Sequence, residues 1–154
     1  MTAYEVSRSA VLPCDLERAH GLLDDFREWP AWSPWEGLDP HMSRTYSGPD
    51  SGVGARYEWS GNKRAGEGTM EVTVSTPEHI EVALQFLKPF KSRSAVIFDL
   101  TPVDDGTRLS WIQTGTVSGL VALMAKVYPM EKALGPDMEK GLANLVAQTA
   151  RPAS

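Results

Sequence analysis

The stretch TMEVTVSTPEHIEVALQF, residues 69–86, decides the fold because it contains two runs in which apolar and polar side chains alternate. The apolar members are Met70, Val72, Val74, Ile80, Val82, Leu84 and Phe86. Successive side chains of a strand point to opposite faces, so this period of two predicts two strands, each with a dry and a wet face. Pro77 and Glu78 fit the turn between them. The stretch therefore predicts an antiparallel pair that another part of the chain covers on one side.

Further strand-like runs lie on both sides of this pair. They are Tyr4–Leu12, Arg44–Gly48, Val53–Gly61, Ala95–Leu100 and the run from Leu109 to Gln113. Residues 49–52 are typical turn residues and predict a hairpin between the second and third of these runs. In the third run Val53, Tyr57 and Trp59 share one face, which we expect to be dry. The whole pattern predicts about seven antiparallel strands.

Helical patterns occur at both ends of the chain. Residues Ala19, Leu22, Leu23 and Phe26 recur at i, i+3, i+4 and i+7, which predicts an amphipathic helix behind the capping residue Asp15. The tryptophan- and proline-rich segment 29–35 allows only a further helical turn or two. The C-terminal segment carries an apolar stripe of Met130, Leu134, Met138, Leu142, Leu145 and Val146. We expect a long C-terminal helix, bent at Pro136, to cover the dry face of an α+β fold.

Composition narrows the class of protein. With 154 residues the chain is expected to form one domain, residues 1–154. Its net charge of −5 argues against a nucleic-acid partner. Cys14 is the only cysteine, so no intramolecular disulfide is possible, and this fits a cytoplasmic protein. No run approaches the roughly 18 apolar residues of a membrane span, so integral membrane association is not expected. Association into a homodimer is compatible with the sequence.

Motifs that carry catalysis are mostly missing from the sequence. The histidines His20, His41 and His79 fall in three unrelated segments, so neither a metal site nor another cofactor is predicted. Glu67, between two glycines, is the best carboxylate for acid–base chemistry, because a bulge there could turn it inward. Simple alternation instead places Glu67 on the wet face. Catalytic residues stay unassigned, and whether the chain is an enzyme stays open.

The order of predicted elements resembles the helix-grip fold of the START/Bet v 1-like (SRPBCC) superfamily over the whole chain. Several stretches are similar to its polyketide cyclase/dehydrase-like bacterial group. They are WSPW at 32–35, YEWSGN at 57–62, GEG at 66–68, FLKPF at 86–90 and EKGLANL at 139–145. The resemblance implies a curved sheet that wraps around the C-terminal helix, two short helices after the first strand, and an internal cavity for a hydrophobic small molecule.

Aromatic and polar residues on the expected dry face are the candidates to line that cavity. They are Trp35, Tyr57, Trp59, Met70, Phe86, Phe98, Trp111, Gln113, Tyr128 and Met138. Such residues can equally fill a solid core. Gln113 is the most informative of them, because a buried side-chain amide needs hydrogen-bond partners or a ligand.

These patterns leave three functions open. The chain could bind a lipid-like, polyketide-like or other hydrophobic or amphipathic molecule. It could be a cyclase/dehydratase-type enzyme that moves protons with one or two polar cavity groups. It could also be a module that contacts proteins or membrane surfaces through Trp29–Trp35 and the apolar segment Gly119–Val127. An enzyme should place an ionisable side chain in the cavity. The sequence shows none there, so binding is the favoured hypothesis.

Overall fold

A computed structural model describes residues 2–35, 41–63, 65–88, 91–117, 119, 123–124 and 129–150. The elements are β1 (Thr2–Leu12), α1 (Leu16–Leu23), a 3₁₀ helix (Trp29–Ala31), β2 (Ser43–Ser47), β3 (Arg56–Ser60), β4 (Glu67–Thr76), β5 (His79–Lys88), β6 (Ser92–Val103), β7 (Gly106–Val117) and α2 (Met130–Ala150). Within the described part of the chain, no helix has the length and apolar character needed to cross a membrane.

The seven strands form one antiparallel sheet in the order β1-β7-β6-β5-β4-β3-β2. Strands that follow one another in sequence are neighbours from β2 to β7, and β1 pairs along the free edge of β7. The curved sheet, the short helix after β1 and the long helix α2 confirm the predicted α+β helix-grip fold. The tryptophan-rich segment contributes the expected helical turn as a 3₁₀ helix.

The two faces of the sheet carry the side chains that alternation predicted. Trp59 is 9% exposed and Val72 is fully buried, whereas Glu58 between two buried neighbours is exposed. Outward carboxylates such as Glu71 and Glu81 are half-buried. A slip of one residue would exchange these two sets. The predicted inner face is therefore confirmed for β3, for β5 and for β4 as far as Val72. It is wrong for Val74, because a β-bulge shifts the register after Val72 and Val74 pairs with the outward Glu81.

The start of β3 differs from the prediction. Val53 is 60% exposed, and β3 begins only at Arg56. A turn occupies the preceding residues, where Ala55 N–H donates to the Gly52 carbonyl and Gly54 N–H donates to Val72 of β4. Val53 was wrongly placed on the dry face because the hairpin loop is longer than its turn residues indicated.

Helix α2 covers the inner face and buries Met138, Leu142 and Leu145. It contains Pro136, and the bend expected there stays a prediction. Gly141 lets the helix backbone approach the sheet closely, because a Cβ atom there would lie 2.8 Å from the Trp111 ring. The helix backbone therefore packs against the Trp111 ring of β7 at this point, while along its length helix α2 lies closest to β1.

Candidate functional site

A cavity of about 300 Å³ lies between the inner face of the sheet, the segment after α1 and the N-terminal half of α2. The residues that border it are Phe26, Trp29, Ser33, Trp35, Met42, Tyr57, Trp59, Ala65, Met70, Leu84, Phe86, Val96, Trp111, Gln113 and Leu134. None of these described residues is an aspartate, glutamate, histidine, lysine or arginine. The walls therefore suit an apolar molecule that makes a few polar contacts.

Aromatic rings hold the cavity walls in place. Around Trp111, the ring centroids of Trp32, Trp35 and Phe98 lie 5.6, 5.9 and 5.6 Å away. Across the cavity, Trp59 meets Phe86 edge to face at 5.4 Å. Edge-to-face pairs of this kind add stability beyond the area they bury. Aromatic pairs therefore build both of these sides of the cavity.

Three tryptophans satisfy their indole N–H groups within the chain. Trp29 Nε1 donates to the Leu23 carbonyl at 3.0 Å, and Trp32 Nε1 donates to the Leu22 carbonyl at 2.8 Å. Trp59 Nε1 donates to the carbonyl of Ala65 at 3.0 Å. These bonds fix the loops that close the cavity onto α1 and β3. The buried polar atoms of Trp111 and Gln113 differ from these three indole N–H groups, because they have no such partner.

Trp111 and Gln113 carry buried polar atoms without partners. Trp111 is fully buried and Gln113 is 5% exposed. Trp111 Nε1 and Gln113 Oε1 have no hydrogen-bond partner in the described structure. A buried polar atom left in this state costs about 1–3 kcal/mol. Both residues border the cavity. Among the described residues, the buried side-chain donor and the buried side-chain acceptor that lack a partner therefore lie in the same wall.

Most of the candidates named from the sequence border the cavity. The residues Trp35, Tyr57, Trp59, Met70, Phe86, Trp111 and Gln113 all do so. Phe98 and Met138 do not: both are fully buried in the packed layer behind the wall, where Phe98 lies against Trp29 and Trp32 as well as Trp111. Tyr128 lies outside the described residues. For all ten candidates, contact with a ligand stays a prediction.

Other lining residues were not proposed from the sequence. Phe26 and Leu134 lie on apolar helix stripes that the periodicity did reveal, so the signal for them was present. Met42, Ser33 and Ala65 lie in loops, where no periodicity indicates which side chain turns inward.

The ionisable groups with shifted pKa values lie away from the cavity. Hydrogen bonds that the His79 ring donates to Asp99 and Glu81 raise the pKa of His79, and all three side chains lie on the outer face of the sheet. Burial raises the pKa of Cys14, which disfavours a reactive thiolate. Glu67 is half-buried with its carboxylate 3.8 Å from Lys88 Nζ, as expected for the wet face. The sheet therefore separates the His79 cluster and Glu67 from the cavity, and Cys14 does not border it.

Comparison with known proteins finds a protein family that matches the chain. The model of the family described as polyketide cyclase / dehydrase and lipid transport matches residues 3–149. No protein with a curated description matches the chain.

Solved structures share the fold at low sequence identity. Protein CV1439 from Chromobacterium violaceum is 17% identical with a TM-score of 0.68, and the match covers 96% of this chain and 98% of that one. A protein from Nitrosospira multiformis is 23% identical with a TM-score of 0.62, covering 95% and 96%. The di-domain ARO/CYC StfQ from the steffimycin biosynthetic pathway is 13% identical with a TM-score of 0.72, covering 97% of this chain and 52% of that one.

Proposed function

The chain belongs to the polyketide cyclase/dehydrase and lipid transport family, and we propose that it binds one hydrophobic or amphipathic small molecule, lipid-like or polyketide-like, in the cavity under α2. The volume of about 300 Å³ suits a compact ligand, at the lower end of the usual range for small-molecule pockets. Rings and aliphatic side chains would supply most of the binding free energy by removing apolar surface from water.

The observation that carries this proposal is the unsatisfied pair on β7. Trp111 Nε1 can only donate a hydrogen bond, and Gln113 Oε1 can only accept one. A ligand with an oxygen acceptor near a hydroxyl donor would satisfy both atoms, and a pure hydrocarbon would satisfy neither. We therefore expect a ligand that bears a carbonyl or hydroxyl group on an otherwise apolar skeleton.

Binding is favoured over cyclase or dehydratase chemistry by the composition of the wall. General acid–base catalysis needs a group of suitable pKa within hydrogen-bond reach of the substrate. The described wall offers the Ser33 and Tyr57 hydroxyls and the Gln113 amide, but no carboxylate, imidazole or amine. A cyclase would convert a linear polyketone chain into a ring, so product analysis with such a chain separates the two functions.

Competition between matched ligands tests the proposal directly. An environment-sensitive apolar dye would be displaced from the protein by 2-naphthol or by 2-methylnaphthalene, which differ by one hydroxyl group. We expect 2-naphthol to bind roughly fivefold more tightly, the effect of one net hydrogen bond. Replacing Gln113 by leucine should abolish this preference and retain binding of 2-methylnaphthalene. Equal affinities for the two compounds in the unmodified protein would contradict the proposal.

A further inference from the structure

A second concave surface lies apart from the cavity, where α1 faces the turn between β4 and β5. It is an open groove of about 420 Å³, and it shares no residue with the cavity wall. The residues that border it are Leu16, Glu17, His20, Ser75, Thr76 and Pro77. Two of them, His20 and Ser75, belong to a hydrogen-bonded cluster with the buried carboxyl of Asp24.

A β-bulge brings Ser75 to this position. The register of β4 against β5 shifts between Val72 and Val74, so Val72 pairs with Val82 but Ser75 pairs with the fully buried Ile80. Paired residues of an antiparallel sheet point to the same face, so Ser75 points inward, toward α1. Bulges commonly re-aim a side chain in this way beside active sites.

Helix α1 supplies the two other members of the cluster. His20 and Asp24 are four residues apart, so they lie on one side of the helix end. Ser75 Oγ lies 3.1 Å from His20 Nε2, and His20 Nδ1 lies 3.5 Å from Asp24 Oδ2. Ser75 Oγ also lies 3.4 Å from Asp24 Oδ2. In this arrangement the hydroxyl donates to Asp24, and rotation about the Cβ–Oγ bond turns the same proton to His20 Nε2, the nearer of the two acceptors.

We propose that Ser75, His20 and Asp24 form a nucleophilic site that cleaves small esters in this groove. The order of contacts, hydroxyl to imidazole to carboxylate, is the arrangement that activates a serine in unrelated hydrolases, where it is recognised by geometry and not by sequence position. Asp24 is 7% exposed, and the side chain of His20 is 21% exposed. The carboxylate is thus enclosed, while the imidazole and the hydroxyl reach the groove.

The reaction needs only an ester and water. Ser75 Oγ forms a bond to the ester carbonyl carbon while its proton passes to His20 Nε2. The C–O bond to the alcohol then breaks, and the alcohol leaves with that proton. Water repeats the sequence on the acyl-serine, which releases the carboxylic acid and restores the hydroxyl. Asp24 acts as a positioning residue, since the imidazolium formed in each step stabilises a carboxylate that burial otherwise disfavours.

The walls of the groove indicate which esters fit. Leu16 and Pro77 are apolar and suit a short acyl or alkyl chain. The Glu17 carboxylate borders the same groove, and the chain carries a net charge of −5, so anionic substrates are repelled. We therefore expect neutral or cationic short-chain esters as substrates.

Covalent labelling of the folded protein tests the site. A neutral fluorophosphonate ester should modify Ser75, identified by peptide mass spectrometry, and p-nitrophenyl acetate should be hydrolysed. His20→Ala and Ser75→Ala should each reduce hydrolysis at least tenfold, and Asp24→Asn should slow labelling of Ser75 at least fivefold. Ser9→Ala is the matched control, because Ser9 is an exposed serine on β1 outside the groove, and it should change neither readout.

A second measurement distinguishes a variant that fails to fold from one that has lost ester hydrolysis. Dye binding in the cavity should be the same in all four variants, because the groove and the cavity share no residue. Absence of a Ser75 adduct in the unmodified protein would overturn the site, as would ester hydrolysis that survives in Ser75→Ala. A loss of labelling in His20→Ala together with unchanged dye binding supports it.

Discussion

Trp111 and Gln113 lie two positions apart on β7 and both point to the inner face of the sheet, where each has a buried polar atom without a hydrogen-bond partner. Their register partners on β1 are Arg8 and Val6, and those on β6 are Phe98 and Val96. Phe98, Val96 and Val6 are apolar, so their side chains cannot form a hydrogen bond with either atom. The proposed ligand would bridge the two atoms, which no described residue satisfies.

Gln113→Leu should stabilise the unliganded protein. The change removes a buried acceptor without a partner and leaves a side chain of similar volume, so the free energy of unfolding should rise by roughly 1 kcal/mol. Chemical denaturation of ligand-free protein measures this. Gln148→Leu is the control, because the Gln148 side chain donates to the Ala31 carbonyl at 3.4 Å at an exposed site. A destabilised Gln113→Leu protein would show that the amide is satisfied in the native state.

Trp111→Ala and Phe98→Ala should differ in their effect on ligand binding and not in their effect on stability. Both rings are fully buried in one aromatic cluster, so each change should cost about 3–5 kcal/mol. Only Trp111 borders the cavity, so only its removal should alter the affinity of an apolar dye. Dye titrations of both variants, each under conditions where it is folded, test this. Equal changes in dye affinity would indicate that both rings border the cavity and would contradict the prediction.

Gly141→Ala should destabilise the protein. The new methyl group would lie 2.8 Å from Trp111 Cζ3 and 3.0 Å from Pro34 Cδ, so the helix or the ring must move, at about 1–3 kcal/mol. Gly21→Ala in α1 is the matched control, because a Cβ added there would have no atom within 4 Å beyond its chain neighbours and its own helix backbone. It should stabilise the protein by roughly 0.5–1 kcal/mol through helix propensity. Thermal unfolding of the two variants compares them, and shifts of the same sign would contradict this packing.

His79 should make stability depend on pH in one direction. Hydrogen bonds to Asp99 and Glu81 raise its folded-state pKa above the unfolded value of 6.5. The folded protein therefore binds the proton more tightly, and this contribution is fully present below 6.5 and is lost as the pH rises through the folded pKa. The difference in unfolding free energy between the unmodified protein and His79→Gln should be largest below pH 6.5 and should shrink as the pH rises above it. A difference that grows as the pH rises would show that folding lowers the pKa of His79 instead of raising it.

The fold could be predicted because its information is local. Alternation in residues 69–86 indicates the buried face of both strands except beyond the β4 bulge, and the stripe around Met138 indicates the covering helix. The β4 bulge escaped prediction for the opposite reason. It depends on how two strands pair, and the alternation of Val72 and Val74 continues through it unchanged. Ser75 consequently faces α1 although its position in the sequence indicated the wet face.

The candidate site could be predicted only in part. Alternation correctly places Phe98 and Trp111 on the same inner face, but it cannot say which of the two rings borders empty space, because that depends on the neighbours from other elements. Gln113 is informative since an amide at an inward position is unusual whatever surrounds it. The hydrogen bonds that satisfy Trp29 and Trp59 run to loop carbonyls, which no periodicity locates.

Native mass spectrometry of the protein purified from its own host tests the central claim most directly. The account predicts one small organic molecule per chain, bearing a carbonyl or hydroxyl group, which is lost in the double variant Trp111→Phe with Gln113→Leu. The variant Phe98→Leu, altered in the same aromatic cluster but away from the cavity wall, should retain it. A double variant that keeps the molecule as fully as the unmodified protein would contradict the claim that Trp111 and Gln113 hold the ligand.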